Sequence, residues 1–162
     1  PRTERTEIMS AEQRLKELGI VLPASSPPAG SYSKVVILDG FAHLSGQGPR
    51  EPDGTPITGQ VPTERSVEDA VLAARNVGLQ ALAVLRESLG SLDRVDQVVR
   101  TFGMVNAVSG FNRHPTVIDG FSNLMIEVFG EAGRGARSAV GMGSLPFNIS
   151  VEVEMTVKVT DD

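Results

Sequence analysis

Residues 149–159 read ISVEVEMTVKV, and this stretch decides the fold. In an extended chain Ile149, Val151, Val153, Met155, Val157 and Val159 share one face. Ser150, Glu152, Glu154, Thr156 and Lys158 share the other. A sustained period of two is the mark of a strand with one buried side. Upstream, 94–105 also reads as a strand. It carries Val95, Val99, Thr101 and Val105 on one face and Val98, Phe102 and Met104 on the other. Both faces are largely apolar, which suits the interior of a sheet rather than its rim. Two further strands, 34–38 and 41–45, flank Asp39-Gly40, a pair that favours a tight hairpin.

Helices separate these strands. Ser10 with Gln13 forms a capping box for a short first helix that Gly19 stops. Thr63 or Ser66 caps a long helix running to about Leu89, ended by Gly90. Its Ala70, Ala73, Ala74, Gly78 and Ala81 are small, so it can lie close against a sheet. Pro115 starts a third helix, striped by Val117, Phe121, Leu124, Met125 and Val128 and ended by Gly130. Residues 23–33 are Pro- and Ser-rich and read as a connector. The Gly- and Pro-rich 46–63 reads as a surface excursion with one short strand near 57–60. A Gly-rich charged loop over 131–137 leads into a short strand over 138–143, and Leu145-Pro146 turns the chain. The order predicts a two-layer α+β fold: one mixed sheet with helices on one face. The open sheet face then needs a partner, and a homo-oligomer supplies one.

The chain has 162 residues, enough to bury roughly 69% of its unfolded surface in one core. Residues 1–9 read as an N-terminal extension or tag remnant, and 10–162 as a single domain. Lys and Arg number 15 against 20 Asp and Glu, a net charge of −5, which opposes a general nucleic-acid binder. Cysteine is absent, excluding disulfides, thiolate metal sites and a Cys nucleophile. The two histidines, His43 and His114, lack ligand spacing, so no metal and no cofactor is expected. No apolar run approaches the ~20 residues of a membrane span. The start PRTERTEIMS has no apolar core, so it does not read as a secretory signal, and a cytoplasmic location is expected.

Chemistry rests on few residues. Glu152 is a carboxylate on the polar side of an otherwise apolar strand; exposed it is unremarkable, but enclosed between subunits it could move a proton. Arg137 follows glycines in GRGARSAVG, and a guanidinium grips a carboxylate in two bonds. Arg134, with nothing to anchor it, reads as a surface charge. Tyr32 is the only tyrosine and sits just before a strand. Ser45-Gly46-Gln47-Gly48 follows the second strand and could expose backbone N–H groups to an anion.

Taken in order, G-S-Y-S, S-G-Q, A-R-S-A-V-G and L-P followed by E-V-E resemble the Rid/YjgF family, also labelled endoribonuclease L-PSP or translation-inhibitor-like. The resemblance spans roughly 29–159, with a longer excursion after Gly46. It implies a chorismate-mutase-like fold and a homotrimer with a site in each cleft between neighbours. It implies hydrolysis of 2-imino acids and their enamines to 2-keto acids and ammonia. Carried over by motif, Arg137 holds the substrate carboxylate and Glu152 activates water. Tyr32, Ser45 and Gly46 line the pocket. Ala139 stands where the family commonly has Cys, and its backbone can still orient water. The family's helical Asn aligns with Ile118. These departures mark a divergent branch. The partners expected are a small carboxylate-bearing metabolite and further copies of the chain, with neither nucleic acid nor membrane. The alternative to the enzyme is a non-catalytic trimeric binder of such a metabolite. A ribonuclease or translation inhibitor ranks lower, opposed by the acidic charge and 4% aromatic content. A chorismate mutase rests on fold analogy alone.

Overall fold

The computed structural model describes residues 8–161. The reading of 1–9 as an extension or tag remnant therefore lies outside the described residues, apart from Ile8 and Met9. In chain order the elements are α1 (Ala11–Glu17), β1 (Val35–Leu38), β2 (Phe41–Gln47), α2 (Val67–Leu89), β3 (Val95–Asn106), α3 (His114–Phe129), β4 (Ala136–Met142) and β5 (Val151–Val159). The strands form one sheet in the order β1-β2-β5-β3-β4. Only β3 and β4 run parallel; the other pairs are antiparallel.

Position explains sequence. β5 lies at the centre, and Val151, Val153, Met155, Val157 and Val159 are all buried under α2 and α3. Each such side chain is worth roughly 1.5–3 kcal/mol of transfer free energy. The helices occupy that face alone, giving the expected α+β two-layer arrangement. Asp39 and Gly40 both take positive φ, 51° and 80°, as a tight turn matched to strand twist requires. Ser66, rather than Thr63, caps α2, its Oγ accepting from the Asp69 N–H at 3.1 Å. The Ser10–Gln13 capping box forms in both directions. The Arg86 guanidinium binds the Glu12 carboxylate with two nitrogens, at 2.6 and 3.1 Å, and so docks α1 on the end of α2. That hydrogen bonding lowers the Glu12 pKa despite its partial burial.

Four expectations need correction. The register of β3 slips between Val98 and Arg100, so Val98 turns into the core while Val99 is exposed. A bulge shifts every side chain beyond it to the other face. Second, β5 begins at Val151. Ile149 packs instead with Met104 and Leu145 in a small cluster apart from the main core. Ser150, expected on the polar face, is fully buried and donates to the Gly59 carbonyl at 2.8 Å. Third, the strand expected over 138–143 starts at Ala136, so Arg137 lies within β4 rather than in a loop. The excursion makes only isolated bridges, Arg50 with Pro56, Thr58 with Ile149 and Val61 with Ala107. Fourth, Gly78 admits a helix rather than the sheet. A Cβ there would approach Leu124 of α3 at 2.7 Å.

The α2–α3 crossing depends still more on Gly120, where a Cβ would overlap the Val71 carbonyl of α2. Alanine would favour an isolated helix by ~1 kcal/mol. A clash with backbone cannot be relieved by a rotamer, so overpacking wins. Gly120→Ala should therefore lose about 1–3 kcal/mol in urea unfolding. Gly143→Ala, with nothing within 4 Å of its Cβ, should stay within about 0.5 kcal/mol of the parent. Equal stability of the two variants would contradict this account of the helix crossing.

Candidate functional site

A cleft of about 540 Å³ opens beside the end of β2. Its construction begins with a second bulge. Leu44 pairs with Met155 and Gln47 with Val153, so Ser45 and Gly46 stand where β5 supplies only Glu154. Bulges re-aim side chains, and this one sits next to Glu152. The Glu152 side chain lies across Gly46, where any Cβ would overlap its carboxylate. Ser45 is fixed by its N–H and Oγ, which donate to the Lys34 carbonyl at 2.9 and 3.2 Å.

The turn before β5 forms another wall. Phe147 and Asn148 both adopt positive φ, 58° and 56°. Non-glycine residues in that region cost of order 1–3 kcal/mol each, so neighbouring contacts must hold them. The buried Asn106 does so: its Nδ2 donates to Asn148 Oδ1 at 2.9 Å and to the Ile149 carbonyl at 3.1 Å. Phe147 is thereby left largely exposed at the cleft. Tyr32 lines the opposite side, its hydroxyl accepting from the Ala29 N–H at 3.1 Å.

Glu152 is partly buried and has no hydrogen-bond partner among the described residues. Loss of water raises its pKa above the usual glutamate value, and the charge of Glu154 adds to the rise. A carboxyl group in this condition can both take and return a proton.

Of the six residues singled out in the sequence, the cleft gathers Glu152, Tyr32, Ser45 and Gly46. Arg137 and Ala139 lie elsewhere in the same chain. Glu152 is opposite Met104, and Met104 opposite Val140. Arg137 and Ala139 are therefore on the other sheet face, toward the helices. There Arg137 binds Asp119 Oδ1 at 2.7 Å and Ser122 Oγ at 3.2 Å, both on α3. Its side chain keeps 23% exposure along the β4 edge. Ile118 is fully buried against Gly103. The α3 side chains that bind Arg137 are thus Asp119 and Ser122, whose separation from Arg137 in sequence hid the pairing. Among the described residues the Arg134 side chain makes only an exposed ion pair with Glu131, as a surface charge would.

His43 Nδ1 lies 3.1 Å from Thr156 Oγ1, and His114 packs edge-on against Phe111. Among the described residues no group of three His, Cys, Asp or Glu could hold a metal ion. No described helix is long and apolar enough to cross a membrane. The sequence reading also passed over three cleft residues, Lys34, Arg50 and Gln80. They come from a connector, an excursion and a helix, and no local motif links them.

Comparison with known proteins places this geometry in context. Residues 12–158 match the family model described as "YjgF/chorismate_mutase-like, putative endoribonuclease". Protein TCP17 of Trypanosoma cruzi is 40% identical over 148 residues, covering 91% of this chain and 92% of that protein. The mitochondrial protein MMF1 of Saccharomyces cerevisiae is 28% identical over 135 residues, covering 80% and 75%. Among solved structures, Atu1372 of Agrobacterium tumefaciens, a protein of unknown function, superposes with a TM-score of 0.83. It is 40% identical, with 93% of this chain and 94% of that one covered.

The raised pKa of Glu152 has a consequence for stability. The folded chain holds this proton more tightly than the unfolded chain, whose glutamate titrates near 4.5. Above that pH the folded state binds more protons, so stability falls as pH rises and levels off beyond the raised pKa. Glu152→Gln removes this loss. Its melting temperature should exceed the parent's at pH 7, and the gain should shrink to nothing below pH 4.5. A variant less stable than the parent at pH 7 would mean that the carboxylate is stabilised in the cleft.

Proposed function

Because the chain belongs to the YjgF/chorismate-mutase-like family, we propose that it hydrolyses 2-imino acids and their enamine tautomers to 2-keto acids and ammonia. The observation that carries this reading is the Glu152 carboxyl: half-buried, without a hydrogen-bond partner among the described residues, and set over Gly46 in a cleft. As water attacks the carbon of the protonated imine, Glu152 takes a proton from the water and a neutral carbinolamine forms. Glu152 then returns that proton to the nitrogen, the C–N bond breaks, and the hydroxyl proton passes to the departing ammonia as the C=O forms, so that ammonium leaves. For the enamine, the protonated Glu152 first delivers its proton to carbon. A pKa above the ordinary glutamate range suits a group that must serve as base and acid in turn.

The substrate carboxylate needs a cation, and Arg137 of the same chain faces the other side of the sheet. We assign that role to Arg137 of a neighbouring copy in a homotrimer, with the neighbour's Ala139 backbone orienting water. Two features support assembly. The exposed edge strand β1 presents Val36 and Leu38 at 51% and 61% exposure, and Arg137 lies on the opposite edge strand, β4. Apolar groups on an open edge favour association. A second reading, a non-catalytic binder of a small carboxylate, draws on the Arg137–Asp119 pair, which already occupies part of the guanidinium. A nucleic-acid substrate is disfavoured by the net charge of −5.

Imine hydrolysis, followed as ammonia release from 2-iminobutanoate and 2-iminopropanoate generated in situ, tests the proposal. Glu152→Gln should retain product binding and lose turnover by about 10²–10⁴-fold. Arg137→Lys should weaken binding although the charge is kept, because an ammonium cannot reproduce the planar two-bond contact. No turnover by the parent across a panel of imino acids, with carboxylate binding intact, would favour the non-catalytic binder.

A further inference from the structure

The cleft does not end at Glu152. It extends to α2, and the chemistry above makes no use of the side chains there. Gln80 is only 8% exposed and lines the cleft, and its side-chain amide makes no hydrogen bond with the described residues. A buried amide is normally paired, so one left open to a cavity is a group waiting for a ligand. Lys34 lines the same region. Its ammonium is partly buried and donates to Ser25 Oγ at 2.8 Å, leaving donors to spare. No acid lies within 4.0 Å of it among the described residues, although the charge of Glu87 is felt. Arg50 is the third. Its backbone N–H donates to Asn76 Oδ1 at 2.7 Å, which holds it against α2 one turn from Gln80. One guanidinium nitrogen donates to the Gly54 carbonyl at 2.8 Å, and the others make no hydrogen bond with the described residues.

Two cations and an amide therefore line the same cavity, and among the described residues no carboxylate forms an ion pair with either cation. Their charge and donors match an anionic oxygen group. The volume of about 540 Å³ also falls within the ~300–1,000 Å³ of sites for drug-sized ligands, more than a four-carbon acid needs.

We propose that Lys34, Arg50 and Gln80 form a second carboxylate subsite, so that the cleft accepts a dicarboxylate: a 2-imino acid with an acidic side chain. This rests on the reading of the Glu152 cleft as the substrate site. The subsite selects by charge at the far end of the ligand, whereas Glu152 acts at the imine carbon.

Calorimetric titration of the intact protein with glutarate and with pentanoate, diacid and monoacid of equal chain length, tests the subsite apart from activity. Glutarate should bind at least about tenfold more tightly, the scale expected when a charge gains a desolvated partner. Lys34→Met and Gln80→Leu should each erode that preference, Lys34→Arg should keep most of it, and the remote Lys158→Met should leave it intact. Thermal melts verify that each variant is folded. Equal affinities for the two acids, or a glutarate affinity unmoved by both Lys34→Met and Gln80→Leu, would overturn the subsite even if imines are hydrolysed. Tight, Lys34-dependent glutarate binding without hydrolysis of any imino acid would support the subsite and remove the deaminase reading.

Discussion

The two-residue repeat of a β-strand sets what this chain can do alone. Through β5, β3 and β4 the register aligns Glu152 with Met104 and Val140, and aligns Met155 with Thr101 and Arg137. Glu152 is consequently on the open face and Arg137 on the helix face. No rotamer brings the two together, because a sheet stands between them. The apolar half of the same alternation is what seats α2 and α3, so the register cannot slip without exposing the core. The constraint that builds the fold thus separates the two groups on which the proposed chemistry depends. A site using both must borrow one from another copy, and Arg137 lies on a strand at the sheet's edge.

Local irregularities then shape the cleft that the chain does contain. The Ser45–Gly46 bulge clears a path for the Glu152 side chain, and a Cβ at Gly46 would displace the carboxylate from its present place. The Phe147–Asn148 turn is conformationally costly, and the buried Asn106 holds it. Glu152 itself is kept short of water and of partners, which costs stability and raises its readiness to hold a proton. Strain and desolvation gathered at one cleft, against a regular core elsewhere, are what a working site looks like in energetic terms.

Much of the fold was legible because its signals are local. The alternation of β5, the Asp39-Gly40 turn, the Ser10–Gln13 cap and the Gly90 stop each depend on residues close in sequence. What escaped depends on pairing across the sheet. The slip in β3 moved Val98 inward, and Ser150 found a partner in Gly59, far away along the chain. The same holds for the site. The resemblance picked out Glu152, Tyr32, Ser45 and Gly46, which do converge. It could not show Asp119 engaging Arg137, nor Gln80 of α2 and Lys34 of the connector lining one cleft. Those contacts are products of topology rather than of motif.

The central claim, a cleft completed by a neighbouring copy, is tested most directly by mixing defective subunits. Glu152→Gln and Arg137→Ala variants, each inactive alone, would be co-expressed and purified as mixed oligomers through different affinity tags. The account predicts that imine hydrolysis returns. An intact Glu152 on the Arg137→Ala subunit would face an intact Arg137 on the Glu152→Gln subunit, giving at least one complete site. Mixed oligomers as inactive as their parents would mean that both residues must act within one chain, and would contradict it.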